Sequence, residues 1–180
     1  MEATNISEFP DYQTAHTDPT CATQRAENLS VLGVSNVLEL CVGPSLRDLE
    51  DEYRKFGIEV TGNDIDPRWK EFYPKGKWII GDATKVDTSG FDAVVVAPPL
   101  SKGCSGRRED SLSLDKVYPS YYNFLHMRNK VMVFVLPGRT LSIREDREQL
   151  HKFLSCLAGK VEIVPLKKKV VKYLDVYVVQ

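Results

Sequence analysis

Paired metal-ligand spacings are what this sequence most plainly lacks. Its four cysteines, Cys21, Cys41, Cys104 and Cys156, include no CxxC pair, and His16, His126 and His151 are equally scattered. That pattern excludes a zinc ribbon and a disulfide scaffold, and predicts reduced thiols, no metal site and a cytoplasmic setting. Charge of one sign is also missing. The formal net charge is −1, so no global basic field advertises nucleic acid or an acidic membrane. No apolar run reaches the ~20 residues of a membrane span, and the opening MEATNISEFPDYQ lacks the charge-then-apolar order of a signal peptide. No internal repeat or low-complexity tract is present.

What remains is an ordinary globular composition, 42% hydrophobic and 27% charged over 180 residues, enough for one domain with a sizeable core. Residues 1–19 are polar, carry Pro10 and Pro19, and read as a flexible N-terminal arm. Residues 20–180 read as a single domain. Its centre is the stretch Asn36 to Ser45, NVLELCVGPS. The run Val37 to Leu40 is too short for a buried helix and is bounded by turn residues, so it is expected to be a buried strand. Gly43-Pro44-Ser45 then turns the chain into a helical pattern. Strand, glycine turn and helix in that order make a ledge on which a ligand lies close to the backbone. Glu39 sits inside this strand, where a carboxylate is costly unless partnered.

Around this centre, Ala22, Ala26, Leu29 and Leu32 recur at helical steps from Thr20 to Leu32 and are closed by Gly33. Leu46, Leu49, Tyr53 and Phe56 share one face of a second helix, with Ser45 as its expected N-cap and Gly57 beyond its end. A strand at Ile58 to Gly62 leads into Asp64, and Asp66-Pro67 starts a short helix with Trp69, Phe72 and Tyr73. Further strands are expected at Trp78–Ile80, Phe91–Val96 and Val131–Leu136. Helices are expected at Tyr118–Met127 and from the Ser142/Glu145 capping box to Leu157. The runs Val161–Leu166 and Tyr173–Val179 are close enough to pair only as a hairpin. The fold class is therefore α/β: a doubly wound, mostly parallel seven-stranded sheet, a C-terminal antiparallel strand pair, and helices on both faces. In such sheets ligands bind at the carboxyl ends of the strands. Gly43, Asp64, Asp82 and Pro98-Pro99 stand at four successive strand ends.

This constellation resembles the class I S-adenosylmethionine-dependent methyltransferases over nearly the whole chain, Thr20 to Gln180. Glu39-Leu40-Cys41-Val42-Gly43-Pro44-Ser45 is similar to a degenerate form of the family's acidic residue and glycine-rich turn. Asn63-Asp64-Ile65 resembles the second-strand end that binds the ribose, and Gly81-Asp82-Ala83 the third-strand end that holds the adenine. Ala97-Pro98-Pro99-Leu100 resembles the catalytic corner of the base-amine methyltransferases. The resemblance implies S-adenosyl-L-methionine as cofactor, with Glu39, Cys41, Gly43, Asp64, Ile65, Asp82 and Ala83 as its binding residues and Ala97, Pro98 and Pro99 at the reaction point. The chemistry suits the roles. A carboxylate at Asp64 accepts from two ribose hydroxyls, Asp82 accepts from the adenine amine, and Glu39 accepts from the methionine amino group or from the N–H groups of the turn.

Departures from the pattern shape the functional expectation. Cys41 and Ser45 occupy two places where the family has glycine, while Ala97 and Leu100 replace the corner's polar acceptor and aromatic ring. The double proline still aims carbonyls in a fixed direction. Methyl transfer is expected, with an RNA or DNA base favoured over a small molecule as acceptor. Lys102, Arg107 and Arg108 would hold phosphate, and Tyr121 and Tyr122 would offer stacking faces. Lys167, Lys168, Lys169 and Lys172 would extend that track. With no separate recognition domain, a protein partner or a structured substrate would set the choice of target. A catalytically inactive cofactor-binding subunit is the alternative. A nicotinamide oxidoreductase is disfavoured, because Cys41 to Leu46 holds one of the three glycines its fingerprint requires.

Overall fold

The computed structural model describes residues 19–97, 121–137, 144–165 and 173–180. Seven strands, β1 (Asn36–Leu40), β2 (Glu59–Asp64), β3 (Lys77–Ile80), β4 (Ala93–Val96), β5 (Val131–Pro137), β6 (Lys160–Pro165) and β7 (Tyr173–Val179), join in one sheet. Their order is β3-β2-β1-β4-β5-β7-β6. The first five strands are parallel, and β7 lies antiparallel between β5 and β6. The strand order reverses between β1 and β4, so the crevice of this sheet opens at the carboxyl ends of those two strands.

Strand alternation sorts the core into two layers. Val37, Val95, Val131 and Val133 point to one face, under helices α1 (Pro19–Val31) and α2 (Leu46–Arg54), which bury Ala26, Leu29, Leu49 and Tyr53 there. A short helix, α3 (Arg68–Phe72), follows β2, and α4 (Arg144–Leu154) follows β5. Leu38, Leu40, Val94, Val96 and Phe134 point to the other face, where Tyr121 and Phe124 of the 121–127 segment pack with Phe153 of α4. Helices thus flank both faces, as the periodicity predicts. Gly62 in β2 has a packing reason: a Cβ there would stand 2.8 Å from Leu46 and Val42, so its absence lets the start of α2 lie close on the sheet.

Three local expectations are corrected. Ser45 does not cap α2. It ends a 3-10 turn over Gly43–Ser45 that runs directly into the helix, and it lies in the right-handed region with no capping bond. Proline at the second position of that turn pre-sets its φ and favours this continuation. The expected helix Tyr118–Met127 lies partly outside the described residues, and its described part is helical only to Tyr122. From there tight i to i+3 bonds carry the chain, such as Phe124 N–H to Tyr121 C=O at 3.1 Å. The second strand also runs two residues further than Gly62, so Asp64 is its last member rather than part of a loop. Ser142, the expected cap of α4, lies outside the described residues.

Candidate functional site

The carboxyl ends of β1, β2 and β3 are fastened to one another by their own main chain. Register places Leu40 beside Asn63 on one side and beside Val96 on the other. Cys41 therefore emerges between Asp64 and Ala97. The Val42 N–H donates to the Asn63 carbonyl at 3.0 Å, and the Gly81 N–H donates to the Asp64 carbonyl at 2.9 Å. Two turns, Cys41–Gly43 and Gly81–Ala83, are thus hung on the end of β2.

The first turn is left-handed at two places. Gly43 has φ +53° and Cys41 has φ +58°. Glycine takes this conformation freely, whereas for cysteine it costs about 1–2 kcal/mol. The turn is therefore left-handed at both positions, and at the first it carries a Cβ. Burial, with Asp64 and Asp82 nearby, pushes the Cys41 thiol up to about 12.

Asp64 is the best-placed acid of the site. Its Oδ2 accepts from the Gly43 N–H at 2.9 Å and its Oδ1 from the Asp66 N–H at 3.0 Å. No lysine or arginine among the described residues pairs with it. Each carboxylate oxygen retains acceptor capacity, which a diol with two O–H donors would match. Burial raises the Asp64 carboxyl above the usual range, and the Asp66 and Gly43 N–H groups only partly offset that. The neighbouring Ile65 is 73% exposed, a branched aliphatic side chain held out at the strand end.

Asp82 plays a different part. Its Oδ1 accepts from the Thr84 N–H at 3.0 Å and the Thr84 hydroxyl at 2.8 Å, capping a 3-10 turn over Ala83–Lys85. The same Thr84 bonds hold its carboxyl below the usual range. Its Oδ2 faces Lys85 Nζ at 3.5 Å on the surface. Ala83 is buried, and its N–H, the first of that turn, finds no partner among the described residues. An acceptor and an adjacent donor with no partner among the described residues therefore stand together, the pairing that the edge of an adenine presents in complement.

Glu39 has another destination. It is 3% exposed and points to the face covered by α1 and α2, where the Tyr53 hydroxyl donates to it. Arg25 Nη1 lies 3.5 Å away. The same Arg25 donates from Nε and Nη2 to Asp175 at 2.8 and 3.0 Å. Glu39 is thus the partnered buried acid, with its carboxylate given to α1 and α2 and not to the ledge. Tyr121 is corrected likewise. It is 1% exposed, donates its hydroxyl to the Val135 carbonyl at 2.5 Å, and packs its ring against Phe134 and Phe153. It offers no face to a base. Tyr122 is 37% exposed, with one ring edge on Phe153.

Ala97 is half-buried just beyond β4. Pro98, Pro99, Leu100, Lys102, Arg107, Arg108, Lys167, Lys168, Lys169 and Lys172 lie outside the described residues. Among the described residues no group of three or more His, Cys, Asp or Glu could hold a metal ion, and no helix is long and apolar enough to cross a membrane. The residue that sequence reasoning passes over is Asn63, whose side chain bonds the carbonyls of Ile79 and Gly81 at 2.9 and 3.0 Å. Its position directly before Asp64 is the available signal.

No protein-family model and no curated protein sequence matches the chain. Solved structures do match in shape. The magnesium protoporphyrin IX methyltransferase of Synechocystis, solved with bound S-adenosylmethionine, superposes with a TM-score of 0.66 at 11% identity, covering 98% of this chain and 92% of that one. An O-methyltransferase from Bacillus cereus, in complex with S-adenosylhomocysteine, gives 0.58 at 12% identity, over 97% and 87% of the two chains. The tRNA (uracil-54, C5)-methyltransferase of Pyrococcus abyssi gives 0.53 at 17% identity, over 88% of this chain and 38% of that larger one. The fold is the one these class I methyltransferases share.

Proposed function

We propose that this chain binds S-adenosyl-L-methionine across the ends of β1, β2 and β3 and transfers its methyl group to a nucleic-acid base. The observation that carries the cofactor half is Asp64: a strand-end carboxylate fixed by two N–H groups, free of any described cation, beside an outward-held Ile65. Asp64 would accept from the ribose hydroxyls, and Ile65 would cover one face of the adenine. Asp82 and the Ala83 N–H would read its edge. The Cys41–Gly43 turn would lie under the methionine portion. The residues fit such a group in donor and acceptor count as well as in apolar surface.

When bound, the cofactor supplies an electrophilic methyl group, so the protein's task is chiefly alignment and exclusion of water. Ala97 stands across from Cys41, and its carbonyl, with that of Pro98, would accept from a target amine and turn its lone pair inward. Pro99 would stiffen that exit. Lys102, Arg107 and Arg108 would hold phosphate, with Tyr122 as the stacking face that remains. The preference for a nucleic acid is supported by those residues, and the structural neighbours include one named for tRNA. A partner protein would supply target choice.

Two measurements test this. Calorimetry with S-adenosylhomocysteine should show binding to the folded chain; no heat with either the cofactor or this product would remove the cofactor reading. A labelled-methyl transfer assay against RNA, DNA and small-molecule pools should show incorporation into nucleic acid. Binding without transfer to any pool would favour the inactive scaffold instead, the reading that Ala97 and Leu100 motivate.

A further inference from the structure

Asn63 is completely buried, yet it is an amide one residue before the strand-end aspartate. Alternation along β2 turns it away from the face that Val60 and Gly62 share. From there its Nδ2 donates to the Ile79 carbonyl at 2.9 Å and to the Gly81 carbonyl at 3.0 Å. Its own carbonyl receives the Val42 N–H at 3.0 Å. One residue therefore grips both turns of the site, the first by main chain and the second by side chain. Its Oδ1 has no partner among the described residues. A buried acceptor left unpaired is a cost that a leucine in the same space would avoid. The worth of the asparagine must then lie in its two donated bonds, one to Ile79 in β3 and one to Gly81, the residue directly before Asp82.

The molecule contains its own control. Asn129 is also buried, and its Nδ2 donates to the Thr88 and Phe91 carbonyls at 2.6 and 2.9 Å. Its Oδ1 is likewise unpartnered among the described residues. The bonding is the same in kind, but it serves a loop at the amino end of β4, at the opposite end of the parallel strands from Asp64 and Asp82.

We propose that Asn63 is a positioning residue for base selection. By holding Gly81 it sets where the Asp82 carboxylate and the Ala83 N–H stand relative to Asp64, and so whether the pocket accepts a purine bearing an exocyclic amine or one bearing a keto oxygen. This rests on the cofactor reading given above. The test titrates S-adenosylhomocysteine and its inosine counterpart into the full chain and its variants by calorimetry. Wild type should favour the adenine ligand. In Asn63→Leu that preference should fall about tenfold, the scale of one lost charged hydrogen bond. In Asn129→Leu the ratio should stay unchanged although the melting temperature drops in both. An unchanged ratio in Asn63→Leu, or an equal fall in Asn129→Leu, overturns the proposal. If Asn63→Leu does not fold, Asn63→Gln keeps the amide but displaces it, and the same ratio is read on that variant. Wild type binding neither ligand overturns the cofactor reading and base selection with it. Amide exchange in the ligand-free chain reports the grip itself: Gly81 and Thr84, whose N–H groups are bonded to Asp64 and Asp82, should exchange faster in Asn63→Gln, and unchanged exchange would show that no such grip exists.

Discussion

Glu39 and Asp64 are acids on adjacent parallel strands, and burial raises the pKa of both. Their surroundings differ in kind. Glu39 lies beneath the helices with Tyr53 donating to it and Arg25 alongside, and that arginine is shared with Asp175. Asp64 lies at the strand end with two backbone N–H donors and no cation among the described residues. The first acid is consumed by the fold. The second is held in place while part of its capacity is left over, which is the condition for binding something else. Two acids that look equivalent along the sequence are thus separated by which side of the sheet edge they face.

The contrast breaks most sharply at Arg25. Arg25→Ala leaves Asp175 and Glu39 buried without their cation, and should cost about 3–5 kcal/mol of stability. Denaturant unfolding would measure it; a loss under about 1 kcal/mol would place the cluster in contact with water and end the distinction. Asp64→Ala should do the reverse. We expect a smaller loss of stability, about 1 kcal/mol, and a loss of about 1.5–3 kcal/mol in cofactor affinity, because the ribose hydroxyls lose a charged acceptor. Calorimetry beside thermal melts separates the two effects, and unaltered affinity would move the ribose elsewhere.

Titration sharpens the same point. The Asp64 carboxyl is raised in the folded chain, so protonating it favours the fold. Its contribution to stability is present in full below the unfolded pKa and is lost as pH rises through the folded value. Affinity should move oppositely, falling as pH drops through that raised value, since a protonated carboxyl accepts less well. Binding measured from neutral pH down through the carboxylate range should begin to weaken above the ordinary aspartate pKa. An affinity independent of pH there would mean that Asp64 carries no ligand. The smallest effect is expected at Cys41. Cys41→Gly relieves a left-handed residue at φ +58° but adds freedom to the unfolded chain, for a net gain of at most about 1 kcal/mol. A melt that falls instead would mean that its thiol packing outweighs the backbone.

Much of this contrast is legible in the residues alone. The apolar runs of the strands, the turn at Gly43 and the placement of Asp64 and Asp82 follow from periodicity and turn chemistry, which are local. The partner of Glu39 is not local. Arg25 and Asp175 are separated by 150 positions, and no spacing rule joins the first helix to the last strand. Tyr121 fails for a related reason. Its pattern shows that it lies beside other aromatics, but only Phe153, brought over by a later helix, decides that its ring is covered. Ser45 has the residue type of a cap but not the backbone, because Gly43-Pro44 makes a 3-10 turn that keeps winding where a cap would require extended backbone. The role of Asn63 shows in the sequence only through its place before Asp64, because an asparagine's two bonds, one within β3 and one to the following turn, leave no trace in hydrophobic period.

A sulfonium methyl donor alkylates whichever soft nucleophile it meets, and a thiolate is the strongest candidate that a side chain can offer. The turn on which that donor would lie carries Cys41. Its thiol is pushed up to about 12 by burial and then by the flanking Asp64 and Asp82, so it is protonated at neutral pH. Burial first, and the two carboxylates after it, therefore keep the thiol nearest the proposed methyl donor in its less nucleophilic, protonated form.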